Sequence, residues 1–277
     1  MVSLTTMRCI LSIIFLNLGI FIINIPHYAQ SQELTEVYSW KAENIVDAAA
    51  DHMGMLYVSN EKGIISKYDK KGRPLLSYSG EKISPINSID VSHTAKIFGF
   101  FKDNQSYLIL DRFLNPLNEA LLNGSLIGYA SETAYASDNN LWIFDQSDLS
   151  VKKISLINNA LQTVISVSMF INTEEWDIRQ IEEYQNRLYL YNSNGDVYVF
   201  DNLGNYIKSL VIRPSCNFCF KDDYLIYVQD QKILEYGLYN NEIKQIATTG
   251  NTNHIIKVIS INNFIYLISK SRISVYQ

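Results

Sequence analysis

Apolar and aromatic residues gather in short runs that return at a nearly constant spacing. The runs are Met55-Leu56-Tyr57-Val58, Ile97-Phe98-Gly99-Phe100, Leu141-Trp142-Ile143-Phe144, Leu188-Tyr189-Leu190-Tyr191, Leu225-Ile226-Tyr227-Val228 and Ile265-Tyr266-Leu267-Ile268. Measured from Leu56, the steps are 41, 44, 47, 37 and 40 residues. Each run has the length and the β-branched and aromatic content of a strand rather than a helix. A period of about forty residues built from strands alone predicts an all-β, six-bladed β-propeller of four-stranded antiparallel sheets.

The fourth repeat shows the plan most clearly. Arg187 to Asn192 reads as a strand, Ser193-Asn194-Gly195 as a turn and Asp196 to Asp201 as the returning strand. Asn202-Leu203-Gly204-Asn205 turns again into Tyr206 to Ile212. Asn-Gly suits such a reversal because both residues tolerate positive φ. Val197 and Val199 alternate with Tyr198 and Phe200, so both faces carry bulk. That pattern fits a sheet covered on both sides by its neighbours.

A further strand precedes each hairpin, at Asn44 to Ala49, Ser88 to Ser92, Tyr129 to Ser137, Asp177 to Glu183, Cys216 to Phe220 and Ile255 to Ser260. In a propeller these lie innermost and line the axial channel. The sixth repeat ends at Gln277 without its outermost strand, and Leu34 to Lys41 is a strand-like segment belonging to no repeat. Pairing Leu34 to Lys41 with Arg272 to Tyr276 covers a bare edge and closes the ring. Rings of five or seven blades stay open as alternatives, since Arg112 to Leu122 reads poorly as a strand.

Residues 1–31 read as a signal peptide and 32–277 as a single propeller domain. Arg8 precedes a nearly unbroken apolar stretch, Cys9 to Ile25, which Pro26 ends, and Ala29 and Ser31 offer cleavage sites. The apolar run approaches bilayer-spanning length, so an uncleaved anchor is the alternative. Asn17 and Asn24 interrupt it and favour cleavage. The expected mature protein is periplasmic, outer-membrane-associated or secreted, monomeric and not inserted in a membrane. Formal charge is −5, with no Lys/Arg cluster, which argues against nucleic acid as a partner.

After cleavage two cysteines remain, in Cys216-Asn217-Phe218-Cys219. Unpaired core thiols, a turn-located disulfide and redox or metal chemistry are the three readings. Strand-like flanks place residues three apart on opposite faces, which favours unpaired thiols. The histidines His52, His93 and His254 are too few and too scattered for a His-rich metal site, and His52 falls in a turn. No H-E-x-x-H, P-loop or G-x-S-x-G motif occurs. The sialidase turn and the recurring Gly-His and Trp-Asp pairs of WD40 repeats are also absent.

Asp51 to Asn60, followed by Ile65-Ser66-Lys67-Tyr68-Asp69-Lys70-Lys71-Gly72, resembles NHL-type propeller repeats, and Phe200-Asp201-Asn202-Leu203-Gly204-Asn205 repeats the latter part. The chain from about residue 34 to 277 is also similar to exported six-bladed propellers of the Bacteroidota whose activity is unassigned. The fifth and sixth repeats depart from the NHL pattern by lacking its glycine. The resemblance implies a fold and carries over no functional residue.

Asp47, Asp90, Glu132, Asp177 and Arg179 fall on or beside predicted innermost strands of different blades and form the candidate binding set at the channel mouth. The expected function is a binding or assembly module in the cell envelope, for an envelope protein or small ligand and without a cofactor. The alternative is a hydrolase or lactonase with axial Ca²⁺, since carboxylates gathered at an axis supply hard oxygen ligands. Against it stands a plainer reading, in which these side chains cap strand ends and face channel water.

Overall fold

Six sheets of four antiparallel strands are arranged in a ring, in a computed structural model that describes residues 34–277 except 82, 93–94, 172–175, 195 and 250–253. The expected signal peptide and His93 lie outside the described residues. β1 (Glu36–Lys41) comes first and pairs last. Blade one is β2 (Ile45–Ala50), β3 (Leu56–Asn60), β4 (Ile64–Tyr68) and β5 (Pro74–Ser79). Blade two is β6 (Ser88–Asp90), β7 (Lys96–Phe101), β8 (Ser106–Asp111) and β9 (Pro116–Leu121). Blade three is β10 (Ala130–Tyr135), β11 (Asn140–Asp145), β12 (Ser150–Ser155) and β13 (Leu161–Ser166). Blade four is β14 (Ile178–Tyr184), β15 (Arg187–Asn192), β16 (Val197–Asp201) and β17 (Tyr206–Leu210). Blade five is β18 (Cys219–Lys221), β19 (Tyr224–Gln229), β20 (Lys232–Gly237) and β21 (Ile243–Thr248). Blade six is β22 (Ile255–Ile261), β23 (Phe264–Ser269) and β24 (Arg272–Tyr276), completed by β1 on its outer edge.

The bulk on both faces of the middle strands is explained by six apolar clusters, one at each seam between neighbouring blades. Every residue of β11 is buried, whereas the outer strands β5 and β9 are mostly exposed. Burial therefore falls from the second strand outward, as packed sheet faces require.

The recurring Asp-x-x-Gly has a local physical cause. The carboxylates of Asp69, Asp111 and Asp201 each accept backbone N–H bonds from residues two and four further on, at 2.8–2.9 Å. These bonds hold the turn into the outer strand and keep each carboxyl below the usual range, led by Arg73, Asn115 and Asn205 respectively. The residue three after the aspartate takes positive φ, at Gly72 (75°), Leu114 (65°) and Gly204 (94°). In blade two a leucine takes the position glycine fills in blades one and four, with Leu114 tucked into the seam at 5% exposure. That substitution hides the outer strand β9 in the sequence, and with it in place the ring has six blades.

The cysteine segment departs from the strand expected over Cys216 to Phe220. β18 begins only at Cys219, and Cys216 lies in a bend that follows Pro214. Asn217 forms a parallel bridge to Lys257 of blade six, which draws the segment across the seam. The bend breaks the alternation, so both thiols pack into the cluster between blades five and six rather than on opposite faces. Both are free. Burial pushes each thiol up to about 12, far from the thiolate needed for nucleophilic chemistry.

Candidate functional site: the axial cavity

The innermost strands enclose a cavity of about 550 Å³. Its wall follows from strand register. In β2, β10, β14 and β22 the pairing shifts by one residue, at Val46, Ser131, Arg179 and Ile256. Such bulges re-aim the residues that follow. The residues after the bulge are Asp47, Glu132, Gln180 and Lys257, and Ser88 and Asn217 occupy the same level in blades two and five. All six line the cavity and all six are polar. Two residues further along each strand stand Ala49, Asp90, Ala134, Glu182, Cys219 and Ile259, which form a second tier. Exposed loop residues His52, Ser92, Asp222 and Asn262 ring the mouth.

First-tier side chains lace four of the six neighbouring pairs of blades. Lys257 Nζ reaches Asp47 Oδ1 at 2.9 Å, and Asp47 Oδ2 accepts the Ile89 N–H at 2.8 Å. Ser88 Oγ lies 3.1 Å from Thr133 Oγ1. Gln180 Oε1 accepts the Phe218 N–H at 3.0 Å while its Nε2 donates to the Phe218 carbonyl at 3.1 Å. In the second tier, the Ser260 N–H donates to Cys219 Sγ at 3.1 Å.

Two carboxyls are displaced from their ordinary range. Burial pushes Glu132 up to about 8, with Asp47 adding to it and Lys102, 3.7 Å away, opposing. Burial likewise pushes Glu182 up to about 7, with Asp90 and Asp47 adding and Lys257 opposing. Lys257 is itself held above the lysine range, because Asp47 and Glu182 outweigh the effect of its burial.

Of the five candidates, Asp47, Asp90, Glu132 and Arg179 line the cavity. Asp177 does not. It lies before β14, where Arg179 at 2.8 Å and the Ser193 hydroxyl bind it and outweigh burial to lower its carboxyl. The choice by sequence omitted Glu182, Gln180 and Lys257. Lys257 holds the place in the sixth repeat that Asp47 holds in the first, and Glu182 follows Gln180 by the two residues of strand alternation. Repeat alignment together with that alternation identifies both. His52 is exposed, as its turn position implied.

Among the described residues, no three His, Cys, Asp or Glu side chains gather closely enough to share one metal ion. Asp47, Asp90, Glu132 and Asp177, the carboxylates considered for Ca²⁺, belong to four different blades, with Asp47 engaged by Lys257 and Asp177 by Arg179. No described helix is long and apolar enough to cross a membrane.

No protein-family model and no curated protein matches the chain. Solved structures do. A catalytically inactive variant of virginiamycin B lyase from Staphylococcus aureus, solved with quinupristin, is 14% identical with a TM-score of 0.58 and covers 84% of this chain and 80% of its own. The WD40 domain of Pan2 from Neurospora crassa is 10% identical with a TM-score of 0.58, covering 88% and 81%. BamB from Moraxella catarrhalis is 12% identical with a TM-score of 0.52, covering 89% and 98%. The chain is a six-bladed β-propeller, and likeness at such identities speaks for the fold alone.

Proposed function

We propose that the protein is an exported binding or assembly module of the cell envelope, holding a ligand or a protruding part of a partner protein in its axial cavity. The observation that carries this reading is the pair of half-buried carboxyls, Glu132 and Glu182, on the cavity wall, both raised above the usual range by desolvation. A carboxyl raised in the folded state contributes stability below its unfolded value of about 4.3 and loses it as pH rises through the folded value. Near neutral pH and above, both residues therefore cost stability relative to an uncharged side chain. Groups that cost stability and face a cavity are candidates for a binding site. The repeats are read as NHL-like and the chain as one of the exported Bacteroidota type.

The test is site-specific photo-crosslinking in cells, from Ala49 on the cavity wall and from Leu117 on outer strand β9. Crosslinks from Ala49 in the envelope fraction, absent from Leu117, are expected. Crosslinks from Leu117 alone, or protein retained in the cytoplasm, contradict the proposal. Intact-mass analysis of the same material is expected to show a chain beginning near Gln30 or Gln32. Retention of the segment from Met1 to Pro26 makes the protein membrane-anchored instead.

A further inference from the structure

The six seams around the cavity are not equally closed. Among neighbouring pairs of innermost strands, β14 and β18 are the least closely packed. β18 is three residues long and starts late, so its main chain does not reach β14 along most of the seam. The Gln180 amide spans the gap instead, pairing with both backbone groups of Phe218 as a strand would. The same Nε2 donates to Glu182 Oε2 at 2.7 Å, so one amide holds both the seam and that carboxylate.

Glu182 carries no ion-pair partner among the described residues. Lys257 influences it but is bound to Asp47 at 2.9 Å. Beside Glu182, two residues along the same strand, Tyr184 stacks on Phe220 with ring centroids 4.5 Å apart and planes within 6°. The Tyr184 hydroxyl donates to the Asp222 carbonyl at 2.8 Å, which fixes the ring at the mouth. Both rings are half-buried and both belong to the cavity wall. Aromatic rings attract cations through their negative faces, most strongly in a desolvated site. The cations of the cavity wall are already engaged, Lys257 by Asp47, Arg179 by Asp177 and Lys221 by the Asn262 carbonyl, so an anion would meet the carboxylates, and a neutral ligand would leave Glu182 without a counter-charge.

We propose that the seam between blades four and five receives an organic cation, an alkylammonium or guanidinium group, with Glu182 as its ion-pair partner and the Tyr184–Phe220 stack as its aromatic wall. This rests on the axial cavity being a binding site, as proposed above. Binding requires Glu182 ionised. The groups that face it are Lys257 of β22, Asp47 of β2, Asp90 of β6, Cys219 of β18 and Tyr189 of β15, with Gln180 and Tyr184 on its own strand. Glu132 on the same wall also gains a proton as pH falls, so acid weakens cation binding through both carboxyls.

The experiment is isothermal titration calorimetry of the exported chain with cadaverine (1,5-diaminopentane), glutarate and 1,5-pentanediol, which share a five-carbon chain and differ in charge. Cadaverine alone is expected to saturate a site. Its affinity is expected to fall at least about tenfold in Glu182→Gln and, in the wild type, at least about tenfold from pH 7.5 to 5.5 as Glu182 protonates. Where Glu182→Gln folds poorly, the pH titration repeated in Glu132→Gln decides the matter, since the fall in affinity with acid is expected to persist there and its disappearance overturns the assignment to Glu182. No cadaverine binding, or equal affinity in Glu182→Gln and across pH, overturns the cation assignment. Binding of glutarate or pentanediol instead overturns it while leaving the cavity as a binding site. Silence of all three probes together with no crosslink from Ala49 removes both proposals.

Discussion

A chain lacking residues 34–41 is expected to melt at least about 10 °C below the full chain, or to self-associate. β1 closes the ring by pairing along β24, with Tyr38 opposite Val275 and Trp40 opposite Ile273. It is anchored on both sides of the closure. The Arg272 guanidinium binds Glu36 at 2.6 Å, while the Tyr38 hydroxyl donates to the Lys70 carbonyl of blade one. Trp40 lies over Tyr68, with centroids 5.7 Å apart, and against Gly72, where an added Cβ would come within 2.6 Å of the indole. Half-burial of Tyr38 and Trp40 contributes about 1 kcal/mol each, and each ladder hydrogen bond about 0.5–1.5 kcal/mol. The sum is several kcal/mol, against a total of about 5–15 for a folded domain. At about 2–4 °C per kcal/mol for a domain of this size, the melting temperature falls by ten degrees or more. The bare β24 edge also becomes a template for pairing with another copy. Differential scanning calorimetry and light scattering report both effects. A truncated protein that stays monomeric with an unchanged melting temperature sinks the closed ring.

The second large effect is expected at Asp145, which is fully buried in blade three. Its carboxylate binds Lys152 Nζ at 2.6 Å and accepts N–H bonds from Gly128 at 2.8 Å and from Tyr129 and Ser147 at 3.0 Å. Burial alone would raise this carboxyl, but Lys152, Ser147 and the two upstream amides outweigh it and hold it far below the usual range. Asp145→Ala leaves the mostly buried Lys152 with only the partly exposed Asp148 as a counter-charge. Removing one partner of such a pair costs roughly 3–5 kcal/mol. The sign with pH is fixed. A depressed carboxyl stabilises the fold above its unfolded value of about 3.9, and that contribution is lost as pH falls through the folded value. The gap between wild type and Asp145→Ala should therefore be full at pH 7 and narrower at pH 3. Urea unfolding at the two values measures it, and a gap below about 1 kcal/mol at pH 7 contradicts the role assigned to this network.

The repeat was legible because seam packing forces bulk onto both faces of every middle strand, and the Asp-x-x-Gly turn marks where the outer strand begins. Where Leu114 replaced the glycine, the mark disappeared and β9 was obscured, although hydrogen bonds of Asp111 form the same turn. Ring closure was legible from an unpaired segment at one end and a missing strand at the other. The cavity was half legible. Strand alternation places a polar residue of each repeat at the axis, but the bulge that aligns Asp47, Glu132, Gln180 and Lys257 depends on pairing with the second strand. The open seam beside Glu182 has no local signal, since it arises from the short β18 and from Asn217 bridging to blade six. The same bridge defeated the parity argument for Cys216 and Cys219.

Asp145 and the pair Glu132 and Glu182 mark opposite uses of a desolvated carboxyl. The first is surrounded by donors and stabilises the fold. The other two face a cavity and cost stability at neutral pH. The measurement that separates these roles is the melting temperature of the Glu132→Gln/Glu182→Gln double variant against wild type at pH 8 and pH 5. A cavity that keeps its carboxyls for a ligand predicts a double variant that melts higher than wild type at pH 8, with the advantage much smaller at pH 5. A double variant that melts lower than wild type at pH 8 would show that these carboxylates hold the ring together, and would remove the ground for placing a ligand in the axial cavity.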